Sequence, residues 1–188
     1  FTGVPNQETQ GLGLGPELIP MWLAHEMAHA VRYTSPTSRS EMRRLIEEAD
    51  GYYSYWETGR RASLGEHVVN EGIAVEVSRM VSPGHAAWEY FGYARRQYAR
   101  VRELEASITR SILSEFDRSA LGLRLRFLSG GMSDESRLVD RTVVPERAGY
   151  FVGARLASPA VEMNGAAWAV RAAAHEVIDV VESAAAAS

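Results

Sequence analysis

Residues 18–33 read LIPMWLAHEMAHAVRY and contain His25-Glu26-Met27-Ala28-His29, in which two histidines stand four residues apart. Residues at i and i+4 share one face of an α-helix, so the two imidazoles can reach one ion. Apolar residues surround them on almost every side, which predicts a buried helix. Ionisable groups in such a helix are costly unless a partner such as a metal satisfies them. The H-E-x-x-H pattern therefore predicts a metal-binding helix, with Glu26 facing the metal-bound water as a general base. The alternative is a pair of buried histidines with a hydrogen-bonded glutamate.

The composition limits the chemistry of such a site. The chain has 188 residues, of which 46% are hydrophobic and 23% charged, as expected for one soluble globular domain. It has no cysteine, so a metal has to be bound by histidine, carboxylate and water. A net charge of -4 provides no general attraction for nucleic acid or an anionic membrane.

The sequence carries no pattern of a membrane span or a signal peptide. It begins with Phe1 rather than methionine, so we expect the natural polypeptide to be longer, and localisation and oligomeric state stay open. Residues 1–15 are rich in glycine and polar residues, which predicts a loop or a short irregular edge strand.

Helical periodicity predicts a single, mainly α-helical domain over residues 1–188. The first helix begins at Pro16 or Pro20 and runs to about Tyr33. Further helices are predicted at 37–49 (N-capped by Ser38 or Ser40), 60–81, 86–119 and 165–181 (capped by Asn164). At most a small β element is expected, since residues 121–128 fit either a short strand or a helix-to-loop connection. The glycines of residues 145–156 predict tight backbone packing against another element.

An aromatic segment follows the second helix and contains Tyr52, Tyr53, Tyr55 and Trp56. Such a cluster either lines a pocket or belongs to the core. We favour the core, because aromatic clusters in small domains are usually buried.

A catalytic zinc site usually needs a third protein ligand besides the two histidines. No histidine follows the motif closely, and the third predicted helix offers four candidates: Glu66, His67, Glu71 and Glu76. Glu71 is favoured because Gly72 and Ala74 would let the two helices approach closely. His67 is the rival, and Asn70 or Glu76 is expected to orient a ligating histidine through its second ring nitrogen. His85 fits a loop or helix start, and His175 lacks a second histidine, so it is interpreted as a decoy on a surface helix.

The motif His25-Glu26-x-x-His29 followed by Asn70-Glu71-Gly72-x-Ala74 resembles the gluzincin arrangement of metallopeptidases. More narrowly, the chain resembles the YjaZ-like family of predicted zinc-dependent proteases, through segments 24–32, 71–74 and 147–153. The resemblance implies a zincin-like helical metallopeptidase fold, a Zn²⁺ cofactor and Glu71 as the third ligand. One departure is Ala28, where many relatives carry another histidine.

The expected reaction is hydrolysis of a peptide or protein substrate by a metal-activated water, with Glu26 as general base. Tyr150 is the candidate donor to the oxyanion, with Arg147 as the alternative. A competing hypothesis is a non-catalytic binding or regulatory domain whose structural zinc has four ligands, His67 among them. A third is a metal hydrolase acting on something other than peptides.

Overall fold

The computed structural model describes residues 15–54 and 56–186, and this part of the chain is mainly helical, as predicted. Its one sheet is a two-stranded antiparallel ribbon of β1 (Leu138–Val139) and β2 (Thr142–Val143). The helices are α1 (Ile19–Thr34), α2 (Glu41–Glu48), α3 (Leu64–Val81), α4 (Arg95–Glu103), α5 (Glu105–Ser114), α6 (Leu121–Leu128), α7 (Ala148–Asn164), α8 (Ala166–Ala169) and α9 (Ala174–Ala186). Among the described helices, none is long and apolar enough to cross a membrane.

The motif helix α1 follows a short 3₁₀ turn at Pro16–Leu18. Pro20 lies in the first turn of α1, where its missing N–H leaves no carbonyl unpaired. The helix ends at Thr34, just before the Ser35-Pro36 pair. Its bounds therefore agree with the prediction, whereas the loop or strand expected for residues 1–14 lies outside the described residues.

Helix α3 is the buried element on which the site is built. Most of its residues are buried, and it packs against both α1 and α7. It begins at Leu64 rather than at residue 60, because the Ser63 hydroxyl accepts a hydrogen bond from the Glu66 N–H and caps the helix there. Ser40 caps α2 in the same way, by accepting from the Arg43 N–H.

The closest backbone approach lies between α3 and α7, at Gly72 and Gly153. A Cβ added to Gly72 would stand 2.0 Å from the Gly153 carbonyl carbon, and one added to Gly153 would stand 2.0 Å from the Val68 carbonyl oxygen. Only glycine fits at both positions. This contact is the tight packing expected of residues 145–156.

Two helix predictions were wrong in extent. The predicted helix 86–119 is divided into a 3₁₀ turn, α4 and α5, because the backbone leaves the helical conformation at Gly92 and again at Leu104. The predicted helix 165–181 is divided into α8 and α9, and Asn164 is the last residue of α7 rather than an N-cap. Residues 121–128 are helical, because Leu123 and Phe127 bury one face together.

The core interpretation of the aromatic segment was wrong for its described residues. Tyr52 is 61% exposed, Tyr53 40% and Trp56 58%; Tyr55 lies outside the described residues. The apolar cluster beside α2 is already filled by small and medium-sized side chains, namely Met42, Leu45 and Ala62. The segment therefore presents aromatic surface to solvent.

Candidate metal centre

Three side chains from two helices converge at the contact between α1 and α3. The Glu71 Oε2 atom lies 3.2 Å from His25 Nε2 and 3.4 Å from His29 Nε2. One ligand atom from each of the three residues lies within 4.8 Å of the others, so the group could hold a metal ion. The structure thus brings together His25, His29 and Glu71, the three residues that were predicted from the sequence to be metal ligands.

Helix geometry explains how α1 presents two imidazoles to one point. His25 and His29 stand one turn apart, with ring centroids 4.7 Å apart. The Trp22 ring lies 5.3 Å from that of His25 and covers it from the preceding turn. His25 is 3% exposed, so the first of these candidate ligands is held in a nearly water-free environment.

The close approach of α1 and α3 does not depend on Gly72, contrary to the sequence argument. Gly72 faces the backbone of α7, whereas Ala28 of α1 is buried in the same apolar cluster as Ile73 and Ala74 of α3. Successive helical residues point about 100° apart, and Gly72 uses its direction for α7 while Glu71 points to the histidines of α1. Ala28 is the small residue on the α1 side.

Charge at the site favours a cation. Burial alone would raise the pKa of the Glu71 carboxyl, but the imidazoles of His29 and His25 hold it well below its usual range. Burial lowers the pKa of His29, and the Glu71 carboxylate, together with Asn70 and Glu26, outweighs that effect and raises it. Glu71 is therefore ionised at neutral pH.

The spacing and chemistry of the donors fit zinc. Zinc binds imidazole nitrogen and carboxylate oxygen at about 2.0–2.2 Å, so two ligands at a tetrahedral angle lie roughly 3.3 Å apart. The Glu71 Oε2 atom lies 3.2 and 3.4 Å from the two imidazole nitrogens, distances that suit a shared zinc ion as well as the direct ion pairs they form in its absence. Two imidazoles and one carboxylate are also a ligand set found in catalytic zinc sites, where the fourth position stays open.

A hydrogen-bonded chain orients the second histidine. His29 Nδ1 lies 3.1 Å from Asn70 Oδ1, and Asn70 Nδ2 donates to the Tyr33 hydroxyl at 2.9 Å. Because the amide oxygen only accepts, Nδ1 carries the proton and Nε2 is left to bind an ion. Of the two residues expected to orient a histidine through its second ring nitrogen, Asn70 does so. Glu76 pairs with Arg79 instead.

Glu26 lies on α1 between the two histidines and is exposed to solvent. Its carboxylate contributes to the raised pKa of His29, which places its charge near the ligand group. Glu26 is therefore both near the donors and accessible to water.

Tyr150 and Arg147 lie beside the same group. The Tyr150 ring is parallel to that of His25, with planes 10° apart and centroids 6.2 Å apart. Burial and the Glu71 carboxylate both raise the pKa of Tyr150, so its hydroxyl stays protonated. The Arg147 guanidinium lies 4.2 Å above the Tyr150 ring.

The backbone at Arg147 is held in an unusual conformation. Arg147 precedes the first residue of α7 and has φ 57° and ψ 20°, a left-handed geometry that few non-glycine residues adopt. The buried Tyr93 hydroxyl donates to its carbonyl oxygen at 2.6 Å. This bond fixes the turn from which Arg147 and Tyr150 reach the site.

The structure does not bring His67 into the group. His67 Nε2 donates to the Gly59 carbonyl oxygen at 2.7 Å, and burial with the nearby Arg124 charge lowers the pKa of His67 to about 4. The other sequence candidates lie outside it too: Glu66 pairs with Arg32, His85 Nε2 is 2.9 Å from the Ser82 hydroxyl, and His175 is exposed on α9. Among the described residues, three protein ligands are therefore available rather than four.

Sequence reasoning did not connect two aromatic residues near the site, Tyr33 and Tyr53, with the histidines. Tyr33 stacks on His29, and its spacing of four residues from His29 was a usable signal. The Tyr53 ring lies 5.5 Å from that of Tyr33 and is tilted by 31°, but Tyr53 belongs to a loop, so no periodicity indicated this contact.

Comparison with known proteins adds no assignment. No family model matches the chain, and no curated protein or solved structure matches it.

Proposed function

We propose that this chain is a zinc-dependent peptidase of zincin-like fold, with the gluzincin ligand set of His25, His29 and Glu71. The observation that carries the proposal is the convergence of these three side chains, with one ligand atom of each within 4.8 Å of the others, beside an exposed carboxylate, Glu26. A peptide or protein is the proposed substrate.

Zinc, when bound, supplies a Lewis acid that activates water and polarises a carbonyl group. The remaining steps of the proposed reaction are assigned to side chains of the protein. Glu26 accepts a proton from the attacking water at its carboxylate and returns it to the leaving amine. Its exposure to solvent supports this role, because the base has to meet both water and substrate.

The negative charge that develops on the carbonyl oxygen needs a donor from the protein. The Tyr150 hydroxyl is the proposed donor, because it stays protonated and its ring lies against His25. Arg147 supports Tyr150 from above the ring and adds positive charge. Asn70 keeps His29 in the tautomer that binds an ion.

The test is the variant Glu26→Gln, assayed for zinc content and for hydrolysis of a denatured protein substrate. We expect zinc to be retained at one ion per chain, and hydrolysis to fall by at least about a hundredfold, the lower range for loss of a general base. The matched control is Glu103→Gln, another exposed glutamate on a helix, for which both readings should equal those of the unaltered protein. Zinc retention with unchanged hydrolysis in Glu26→Gln would overturn the proposed mechanism.

A further inference from the structure

The Arg147 guanidinium is a positive charge beside the proposed metal site. It lies 4.2 Å above the Tyr150 ring, whose centroid is 6.2 Å from that of His25. Within residues 15–54 and 56–186, no ion pair involves Arg147. The residue is partly exposed, so a molecule from solvent can reach it.

Two carboxylates close to Arg147 are engaged elsewhere. Glu146 precedes it in the chain, but its Oε1 atom accepts a hydrogen bond from the Gly131 N–H at 2.9 Å. Burial and the Glu71 carboxylate raise the pKa of Tyr150 and the Arg147 guanidinium opposes them, so both charged groups lie near the Tyr150 hydroxyl. Glu71 nevertheless pairs with the two histidines of α1. The positive charge of Arg147 is therefore left for a ligand.

The backbone that carries Arg147 is fixed from two sides. The Tyr93 hydroxyl donates to the Arg147 carbonyl oxygen at 2.6 Å, and Gln97 Nε2 donates to the Glu146 carbonyl oxygen at 2.7 Å. These bonds hold Arg147 at φ 57°, a strained conformation for a residue with a side chain. Because the turn is ordered before a ligand arrives, binding has less conformational entropy to remove.

We propose that Arg147 binds a carboxylate of the substrate close to the scissile bond. The inference rests on the proposed function and names its substrate class. The two centroid distances keep the guanidinium within about 11 Å of the His25 ring, and an extended chain advances about 3.3–3.6 Å per residue, so a bound peptide reaches Arg147 within about three residues. The forked N–H donors of arginine match the two oxygens of a carboxylate. That carboxylate is either the free C-terminus of the substrate or an aspartate or glutamate side chain.

Small hydroxamates test the subsite without requiring proteolysis. Hydroxamates chelate zinc, and the monohydroxamates of succinic, glutaric and adipic acid hold a carboxylate at three distances from the chelating group. The neutral counterpart of each probe carries a terminal amide in place of the carboxylate. In calorimetric titrations of the zinc-loaded protein, we expect the carboxylate to lower Kd by about tenfold for at least one chain length, as for a hydrogen bond to a charged group.

Arg147→Gln should reduce this ratio to below about twofold, because the carboxylate then loses its charged donor. The two probes share one chelating group, so a general change in zinc affinity cancels in the ratio. Arg147→Glu should bind 6-aminohexanohydroxamic acid, which ends in an ammonium group, more tightly than the adipic probe. The matched control is Arg102→Gln, which removes the same charge from an exposed arginine 6.0 Å above the Tyr98 ring and should keep the tenfold ratio.

Two results would overturn the proposal. One is an unchanged ratio in Arg147→Gln together with an unchanged preference in Arg147→Glu. The other is equal affinity of the unaltered protein for carboxylate and amide at every chain length. A protein that binds no zinc would overturn both this inference and the proposed function.

Peptides separate the two sources of the carboxylate, and separate this inference from the function on which it rests. Three peptides are compared: one with a free C-terminus and no acidic residue, its C-terminal amide, and the same amide with one internal glutamate. Preferred cleavage of the first assigns the terminal carboxylate, and preferred cleavage of the third assigns the side chain. In either case Arg147→Gln should abolish the preference in kcat/KM, whereas loss of an oxyanion donor would slow all three alike. Equal cleavage of all three would overturn the subsite and leave the peptidase standing. If none is cut but the hydroxamate ratio holds, the subsite stands and the proposed peptidase function fails.

Discussion

Replacing Gly72 with alanine perturbs the contact between α3 and α7 next to the proposed ligand Glu71. The added methyl group would lie 2.0 Å from the Gly153 carbonyl carbon, about 1.4 Å short of the 3.4 Å at which ordinary contact begins. The position of the added Cβ is fixed by the α3 backbone, and its neighbour is the α7 backbone. No side-chain rotation can therefore relieve the overlap. The two helices have to separate instead.

The magnitude follows from two opposing effects. Alanine in place of glycine inside a helix stabilises the protein by about 1 kcal/mol. Overpacking a well-packed core costs about 1–3 kcal/mol, and a rigid backbone neighbour places this case at the upper end. We therefore expect a net loss of about 2 kcal/mol in the free energy of unfolding. Because Glu71 adjoins Gly72, displacement of α3 should also weaken the proposed zinc binding.

Urea unfolding measured by circular dichroism provides the assay, since a change in midpoint at constant m-value reports stability. The matched control is Gly122→Ala in α6, where an added Cβ would have no neighbour within 4 Å. That variant should be unchanged or more stable by up to about 1 kcal/mol. If Gly72→Ala unfolds at the same urea concentration as Gly122→Ala, the argument for backbone contact at Gly72 is wrong.

Three further predictions concern polar groups at the start of α3. His67 has a folded-state pKa of about 4, below the 6.5 of an unperturbed histidine, so the unfolded chain takes up its proton first as pH falls. Its contribution to stability is complete above pH 6.5 and is lost progressively towards pH 4, by about 3 kcal/mol in total. Urea titrations should show this slope to be absent in His67→Gln, and the same slope in both proteins would contradict the assignment. Ser63→Ala removes the cap of α3 and should cost about 1 kcal/mol in the same assay; an unchanged midpoint would exclude a capping role. Glu66→Leu leaves Arg32 buried without its carboxylate partner and should cost about 3 kcal/mol, whereas a loss below about 1 kcal/mol would mean that the carbonyls of Ala169 and Ala172 suffice for Arg32.

The helices that carry the site were predictable because their sequence patterns agree with their surroundings. The α1 pattern is apolar on nearly all sides, and α3 repeats that pattern around Glu71, so each had to be buried. In residues 86–119, by contrast, helical spacing of apolar residues led to the wrong prediction of one continuous helix. Apolar residues keep helical spacing across Leu104, although the backbone leaves the helical conformation there. Periodicity reports which face is buried and does not report whether the backbone is continuous.

Glu71 was chosen as the third candidate ligand partly for a reason that the structure corrects. Gly72 and Ala74 were expected to let α3 approach α1, yet Gly72 contacts α7, whereas Ala74 is buried in the same apolar cluster as Ala28 of α1. A sequence does not state which neighbour each face of a buried helix meets. Here the two faces serve two purposes: one brings α7, with Tyr150 in its first turn, against α3, and the other presents Glu71 to the histidines.

The aromatic segment shows where sequence reasoning ends, because exposure depends on the path of a loop. Composition favoured burial for Tyr53, but the cluster beside α2 holds Met42, Leu45 and Ala62 and leaves the ring outside it. The loop instead carries Tyr53 to Tyr33, which stacks on His29. Composition therefore indicates that aromatic side chains are present, whereas only the path of the loop decides whether they are buried.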